Sequence, residues 1–213
     1  MSMEGQANSA LLQHGNEPHR LWSWPSVGGR FGLMLDRAYT FETDRLQIRE
    51  WHSASWPSHW EEGLARFVAG ILTEPVTRTL PVSWHGAFTE KRARDWIAER
   101  DREGSTLLVA EKATANPVGL VILFDSPSED GIELRLGYLL AESSWAMGFA
   151  TEVVDGLVRW CRAHPSIRSL AGGVSRNNPA SRRVLEKNGF LPSEFASERE
   201  GSEEILRLIL RPP

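Results

Sequence analysis

The chain predicts an α+β fold of the mixed α/β kind, a central sheet with helices on both faces. Apolar residues recur at every second position in some segments and at every third or fourth in others. The two patterns follow each other as strand, two helices, three strands, helix, strand, helix, two strands. Hydrophobic residues make up 41% of the 213 positions, enough for one core of useful size.

That length suits one domain with an extension rather than two domains. The domain is expected over 38–213 and the extension over 1–37. Residues 1–20 are polar and aperiodic and read as a tail. Residues 21–37, with Leu21, Trp22, Trp24, Phe31 and Leu35, are too apolar for a free linker. They are expected to pack on the domain or on a second copy of the chain, as in a homodimer.

The elements follow in order. Residues 39–51 read as a strand, because Leu46 and Ile48 alternate with Gln47 and Arg49. Trp60, Leu64, Phe67 and Val68 predict a helix over 56–68. A loop with Pro75 and Pro81 leads to a helix over 90–102, with Thr89 as N-cap and Gly104 as its stop. Strands at 107–111 and 118–124 flank a turn at 113–117, an antiparallel hairpin. A strand at 132–140 puts Ile132, Leu134, Leu136, Tyr138 and Leu140 on one face and Glu133, Arg135, Gly137 and Leu139 on the other. A helix over 150–163 carries a buried stripe of Val153, Val154, Leu157, Val158 and Cys161 and ends before Pro165. A short strand at 169–174 precedes a short helix opened by Pro179 and stopped by Gly189. Residues 190–196 and 205–210 form a closing hairpin.

The bulk numbers exclude several function classes. A net charge of −4 lacks the basic excess of a nucleic-acid binder. The single cysteine, Cys161, rules out an intrachain disulfide and a cysteine-rich metal site. The six histidines are scattered without ligand spacing, so no metal is expected. No apolar run reaches the roughly 18 residues of a membrane span, and no signal peptide is evident at the start. The expectation is a cytoplasmic protein with no membrane partner. No Gly-x-x-x-x-Gly-Lys-Ser/Thr and no Gly-x-Gly-x-x-Gly is present, which argues against a P-loop nucleotidase and a dinucleotide fold.

One segment has the physical makings of an anion site. A strand ends near Leu140, a loop with Gly148 and Ala150 follows, and a helix opens at once. The first turn of a helix has unbonded N–H groups at the positive end of its dipole, and small residues let a phosphate approach them. Met147, Gly148, Phe149, Ala150 and Thr151 would supply those N–H groups. Some thirty residues on comes Asn178-Pro179-Ala180-Ser181-Arg182-Arg183-Val184-Leu185-Glu186-Lys187-Asn188-Gly189-Phe190.

Together the two segments resemble the GNAT acetyltransferase superfamily, in the branch similar to the ribosomal-protein N-terminal acetyltransferases RimJ and RimL. The matches are Gly137-Tyr138-Leu139-Leu140, Trp145 with Gly148-Phe149-Ala150-Thr151-Glu152, Asn178 with Ser181 through Phe190, and the opening strand Glu42-Thr43-Asp44-Arg45-Leu46-Gln47-Ile48-Arg49. The resemblance spans about residues 41–210. It implies a mostly antiparallel twisted sheet, acetyl-CoA as cosubstrate, and direct transfer of acetyl to a primary amine in a ternary complex. Leu139 and Leu140 would pair through their backbone with the pantetheine arm, and 145–151 would bind the pyrophosphate. Trp145 is read as packing. Asn178 would contact the cofactor or fix the loop before its helix, or serve as a plain N-cap. Ser181 would sit near the thioester sulfur and help protonate the leaving thiolate, or satisfy the helix start. Arg176, Arg182 and Arg183 would meet phosphates or form a solvated basic face.

The attacking amine must be neutral, so a proton must leave it. The branch often has Glu where this chain has Arg135. Glu133, two residues earlier on the same face, is the expected base, with Glu111, Glu74 and His85 behind it. The acceptor would be a protein or peptide N-terminus or a small amine. Trp56, Trp60, Trp84 and His85 would line its site or belong to the core. The rival reading is a catalytically inactive acyl-CoA-binding regulatory module, kept open by Arg135.

Overall fold

The alternating residues around Ile48 form not one strand but a tight hairpin. In the computed structural model, which describes residues 39–128, 130–193 and 203–211, β1 (Thr40–Glu42) pairs antiparallel with β2 (Leu46–Glu50). Thr43 closes the turn: its N–H donates to Leu46 O at 2.9 Å and its Oγ1 accepts from Leu46 N at 3.0 Å. A threonine in this place satisfies backbone locally and competes with a continuous strand. The segment 1–37 lies outside the described residues.

Helix α1 (His59–Ile71) starts later than its apolar spacing predicts. Trp56 precedes Pro57, and a residue before proline is driven out of the helical region. Pro75, in the expected loop, instead opens a short helix α2 (Glu74–Thr77), and a 3₁₀ turn follows at Val82–Trp84. Helix α3 (Glu90–Glu103) begins where expected. The Thr89 side chain accepts from Arg92 N at 3.2 Å.

Strands β3 (Ser105–Glu111), β4 (Pro117–Ser128) and β5 (Gly131–Leu140) then run antiparallel. Helix α4 (Phe149–Arg162) carries the chain over to β6 (Ile167–Ser175), which lies parallel to β5. Helix α5 (Pro179–Lys187) leads to β7 (Leu191–Pro192), and β8 (Glu203–Ile209) inserts between β6 and β7. The eight strands lie in the order β1-β2-β3-β4-β5-β6-β8-β7, and every neighbouring pair except β5–β6 is antiparallel.

The period-two pattern sorts side chains into two cores. Ile132, Leu134, Leu136 and Leu140 pack with the α4 stripe of Val153, Val154, Leu157, Val158 and Cys161, and with Leu185 of α5. Leu139, Leu120 and Ile122 face the other way, onto Leu64 and Val68 of α1 and Trp96 of α3. Trp51, Trp56 and Trp84 belong to this second core. Trp84 meets Trp96 edge-on with centroids 5.0 Å apart, a favourable aromatic geometry. Helices therefore cover both faces of the sheet.

Two expected outcomes test this packing. A Cβ on Gly119 would lie 2.4 Å from Leu140 Cδ2 and 2.5 Å from Leu139 O. Gly119→Ala should therefore cost about 1–3 kcal/mol, as overpacking does, read as a lower urea midpoint at unchanged slope. Cys161 is fully buried, and burial pushes its thiol up to about 12. Iodoacetamide at pH 8 should leave it unmodified in the folded protein and alkylate it only after denaturation. Fast labelling of native protein would contradict this burial.

Candidate active site

The site begins where two parallel strands stop pairing. The β5–β6 ladder ends at Leu136 opposite Gly172. Yet β5 stays bonded to β4 as far as Leu140 and β6 to β8 as far as Ser175. The inner edges thus part while the outer edges hold, leaving a fork. Helix α5 fills its base: a Cβ on Gly172 would come 2.9 Å from Leu185 Cδ1, so the absence of a side chain lets Leu185 seat there. A cleft in the fork is lined by Leu136, Gly137 and Tyr138 of β5, Gly172 to Ser175 of β6, Asn178 and Ser181 of α5, and Thr79 and Leu80 from the segment after α2.

Strand alternation decides which backbone groups face the fork. Ala141 N donates to Val118 O on the β4 side, whereas Ile132 N donates to Ser166 O on the β6 side. Odd-numbered residues of β5 therefore turn their N–H and C=O to β4, and even-numbered ones turn theirs to β6. Past Leu136, Tyr138 and Leu140 present these groups to the open edge. Of the expected pair, Leu140 faces the fork through its backbone. Leu139 is turned to β4. The Leu140 carbonyl accepts from Trp145 Nε1 at 2.9 Å. Trp145, read as packing, is 44% exposed and instead ties the end of β5 to the loop that follows.

That loop has two left-handed residues, Ala146 at φ 59° and Gly148 at φ 81°. Gly148 is the N-cap of α4. The first helical bond runs from Glu152 N to Gly148 O at 3.1 Å, so the N–H groups of Phe149, Ala150 and Thr151 lie ahead of it and have no helical acceptor. Met147 and Gly148 directly precede them in the loop. Glu152 is held below the usual carboxylate range. Burial pushes its carboxyl up, but hydrogen bonds from Thr43 and Arg45 outweigh that.

Asn178 is the N-cap of α5. Its Oδ1 accepts from Ser181 N at 3.0 Å, and its Nδ2 donates to Thr79 Oγ1 at 3.2 Å. It thereby fixes both the start of α5 and the opposite wall of the cleft. Ser181 Oγ lies 2.9 Å from the Tyr138 hydroxyl. Burial pushes the Tyr138 phenol up to about 12, against a smaller downward effect of the Ser181 hydrogen bond, so it stays protonated at neutral pH. In the sequence Tyr138 reads as a core-facing residue within the Gly137-Tyr138-Leu139-Leu140 match, with no role for its hydroxyl. Its position one step past the fork gives it a hydroxyl partner in the cleft.

Glu133 lies apart from this pair. It sits inside the paired stretch of β5, opposite Ser169, and is 8% exposed. Its Oε1 accepts from Arg135 Nε at 3.2 Å, while Oε2 accepts from Arg207 Nη2 at 2.8 Å and Ser169 Oγ at 3.4 Å. Of the lesser candidates, Glu111 accepts from Thr114 in the β3–β4 turn and Glu74 opens α2. His85 Nε2 meets the carbonyl of Leu80, a cleft-wall residue, at 3.0 Å. Arg182 is engaged by Glu186 and Glu204.

The sequence matches the family model of the acetyltransferase (GNAT) domain over residues 45–191, more than half of the chain. An uncharacterized protein of Bacillus subtilis, YkkB, is 25% identical over 112 residues, covering 50% of this chain and 65% of that protein. Among solved structures, a GNAT-family acetyltransferase from Bacillus anthracis superposes with a TM-score of 0.63 at 17% identity, covering 81% of this chain and 99% of that one. RimL, a ribosomal L7/L12 alpha-N-protein acetyltransferase in complex with coenzyme A, superposes with a TM-score of 0.60 at 15% identity, covering 80% and 98%. The structural likenesses carry the fold, and the family model carries the family: the chain belongs to the GNAT acetyltransferases.

Proposed function

We propose that the chain transfers the acetyl group of acetyl-CoA to a primary amine, by direct attack in a ternary complex. The observation that carries this reading is the fork. It joins an open strand edge at Tyr138 and Leu140, a hydroxyl pair at Ser181 and Tyr138, and, down the same chain segment, a helix N-terminus with free N–H groups. These features fit a long thioester with a diphosphate at one end. The open amide edge matches the amides of a pantetheine arm, and the N–H groups before Glu152 match the diphosphate. Acetyl-CoA supplies the activated acyl carbon and a thiol leaving group.

The chain's own residues then have distinct tasks. The free backbone groups of Tyr138 and the Leu140 N–H orient the arm. When the amine nitrogen bonds to the acyl carbon and the carbon–sulfur bond breaks, negative charge collects on sulfur. Ser181 Oγ donates a hydrogen bond there, and the protonated Tyr138 phenol can donate to Ser181 in turn. The buried thiol of Cys161 takes no part, so no covalent acyl-enzyme is required. An acceptor at a protein or peptide N-terminus is supported by the likeness to RimL; a small amine is the other acceptor class this fork admits.

Glu133 is the carboxylate assigned to accept the amine proton. Both of its oxygens are engaged by Arg135, Arg207 and Ser169, so it acts only where the acceptor replaces one of these partners. The same engagement favours the second reading, a module that binds acyl-CoA without turnover. Thiol release measured across a panel of N-terminal peptides and small amines separates the two. Calorimetric binding of CoA with no release for any amine would leave only the binding module.

Ser181→Ala should lower kcat about 100-fold, in the range of lost acid assistance, with KM for acetyl-CoA nearly unchanged. Tyr138→Phe should cost about tenfold, the worth of one hydrogen bond. Wild-type rates in Ser181→Ala would remove the hydroxyl from the chemistry. Glu133→Gln should reduce kcat/KM mainly at low pH, where the amine still carries its proton. A pH–rate profile of unchanged shape takes Glu133 out of the proton-transfer step.

A further inference from the structure

We infer that Arg45, in the turn between β1 and β2, is the positioning residue of the diphosphate loop. This rests on the acetyl-CoA reading above and adds a residue to it. Arg45 is distant in sequence from the loop, yet its guanidinium makes three kinds of contact there. Nε and Nη2 grip Glu152 Oε2 at 2.7 and 2.6 Å. Nη1 donates to the Met147 carbonyl at 3.0 Å. The guanidinium carbon stands 4.5 Å over the ring of Phe149. The Arg45 backbone N–H adds a bond to Glu152 Oε1 at 2.9 Å, and Thr43 Oγ1 donates to the same oxygen at 2.5 Å.

These contacts solve two problems that an anion site at this helix would otherwise have. Glu152 lies in the first turn of α4, so its negative charge stands close to where a diphosphate must bind. Like charges in one site oppose each other. Arg45 neutralises that carboxylate in place. The Met147 carbonyl, if turned inward, would present an acceptor to an anion. Arg45 holds it to the outside, and the N–H groups of the loop are left for the ligand.

The packing shows that this clamp is built in. Gly156 lies one helical turn beyond Glu152 on the same face of α4. A Cβ there would come 2.6 Å from Thr43 Cγ2 and 3.0 Å from the Phe41 ring. Only the missing side chain lets α4 approach the β1–β2 turn closely enough for Thr43 and Arg45 to reach Glu152. A Cβ at Gly148 would lie 3.5 Å from Arg45 Nη2, so the cation runs alongside the N-cap itself.

The test compares a ligand that has the diphosphate with one that lacks it. Arg45→Met should weaken CoA about tenfold by calorimetry, the scale of a partly buried charge at a helix N-terminus. Binding of S-acetylpantetheine, which lacks the diphosphate, should not change. The double variant Arg45→Met/Glu152→Gln should regain part of the lost CoA affinity, because the uncompensated carboxylate is gone. Equal weakening of both ligands would assign Arg45 to general support of the fold and overturn the inference. So would CoA binding by Arg45→Met at wild-type strength. Wild-type protein that fails to bind CoA would instead sink the acetyl-CoA reading, a result visible before any variant is made.

Discussion

The fork depends on one unequal competition between strand edges. Past Leu136 and Gly172, β5 and β6 each keep an outer partner and lose each other. Unpaired backbone groups inside a protein are costly unless something satisfies them. A sheet that leaves the Tyr138 backbone and the Leu140 N–H open beside the fork therefore carries an unmet demand for hydrogen bonds. In the acetyltransferase reading the acyl donor meets that demand. Everything else near the site is arranged around the gap: α5 props it open through Leu185, Asn178 fixes α5, and Ser181 is delivered to its inner wall.

Much of the fold was legible because the two periods are well separated. The alternation from Ile132 to Leu140 sorted side chains correctly onto two cores, and the stripe on α4 is buried as its spacing implies. The break at 43–45 was also written in the chain, though less openly. Tyr39 and Phe41 are buried at odd positions and Leu46 and Ile48 at even ones. A strand cannot change phase without a bulge or a turn. The short segment at Thr43 and Asp44 is where that change happens.

The site was legible in its parts but not in its assembly. The glycine loop and the Asn178–Ser181 helix start are local features, and local rules found them. The β5–β6 ladder ends at Gly172, where Leu185 of α5 packs from thirteen residues further along the chain, and no local pattern encodes that meeting. For the same reason the pairing of the Tyr138 hydroxyl with Ser181 had no local signal. Glu133 shows the converse. Its strand face was read correctly, but its partners include Arg207 from β8, which pairs next to β6 rather than β5. Carboxylate roles depend on such distant neighbours, and a single strand cannot reveal them.

Ala146 carries a consequence of a different kind. At φ 59° it occupies a conformation that glycine adopts freely and alanine only at a cost of about 1 kcal/mol. Alanine restricts the chain, but toward the right-handed and extended regions, so this φ is imposed by the surroundings and not by the residue. The strain at position 146 is therefore borne by its flanks, where Trp145 Nε1 bonds the Leu140 carbonyl and Arg45 Nη1 bonds the Met147 carbonyl. Those two bonds hold an uncommon backbone shape in place, and without them the loop would relax toward the conformations that alanine prefers.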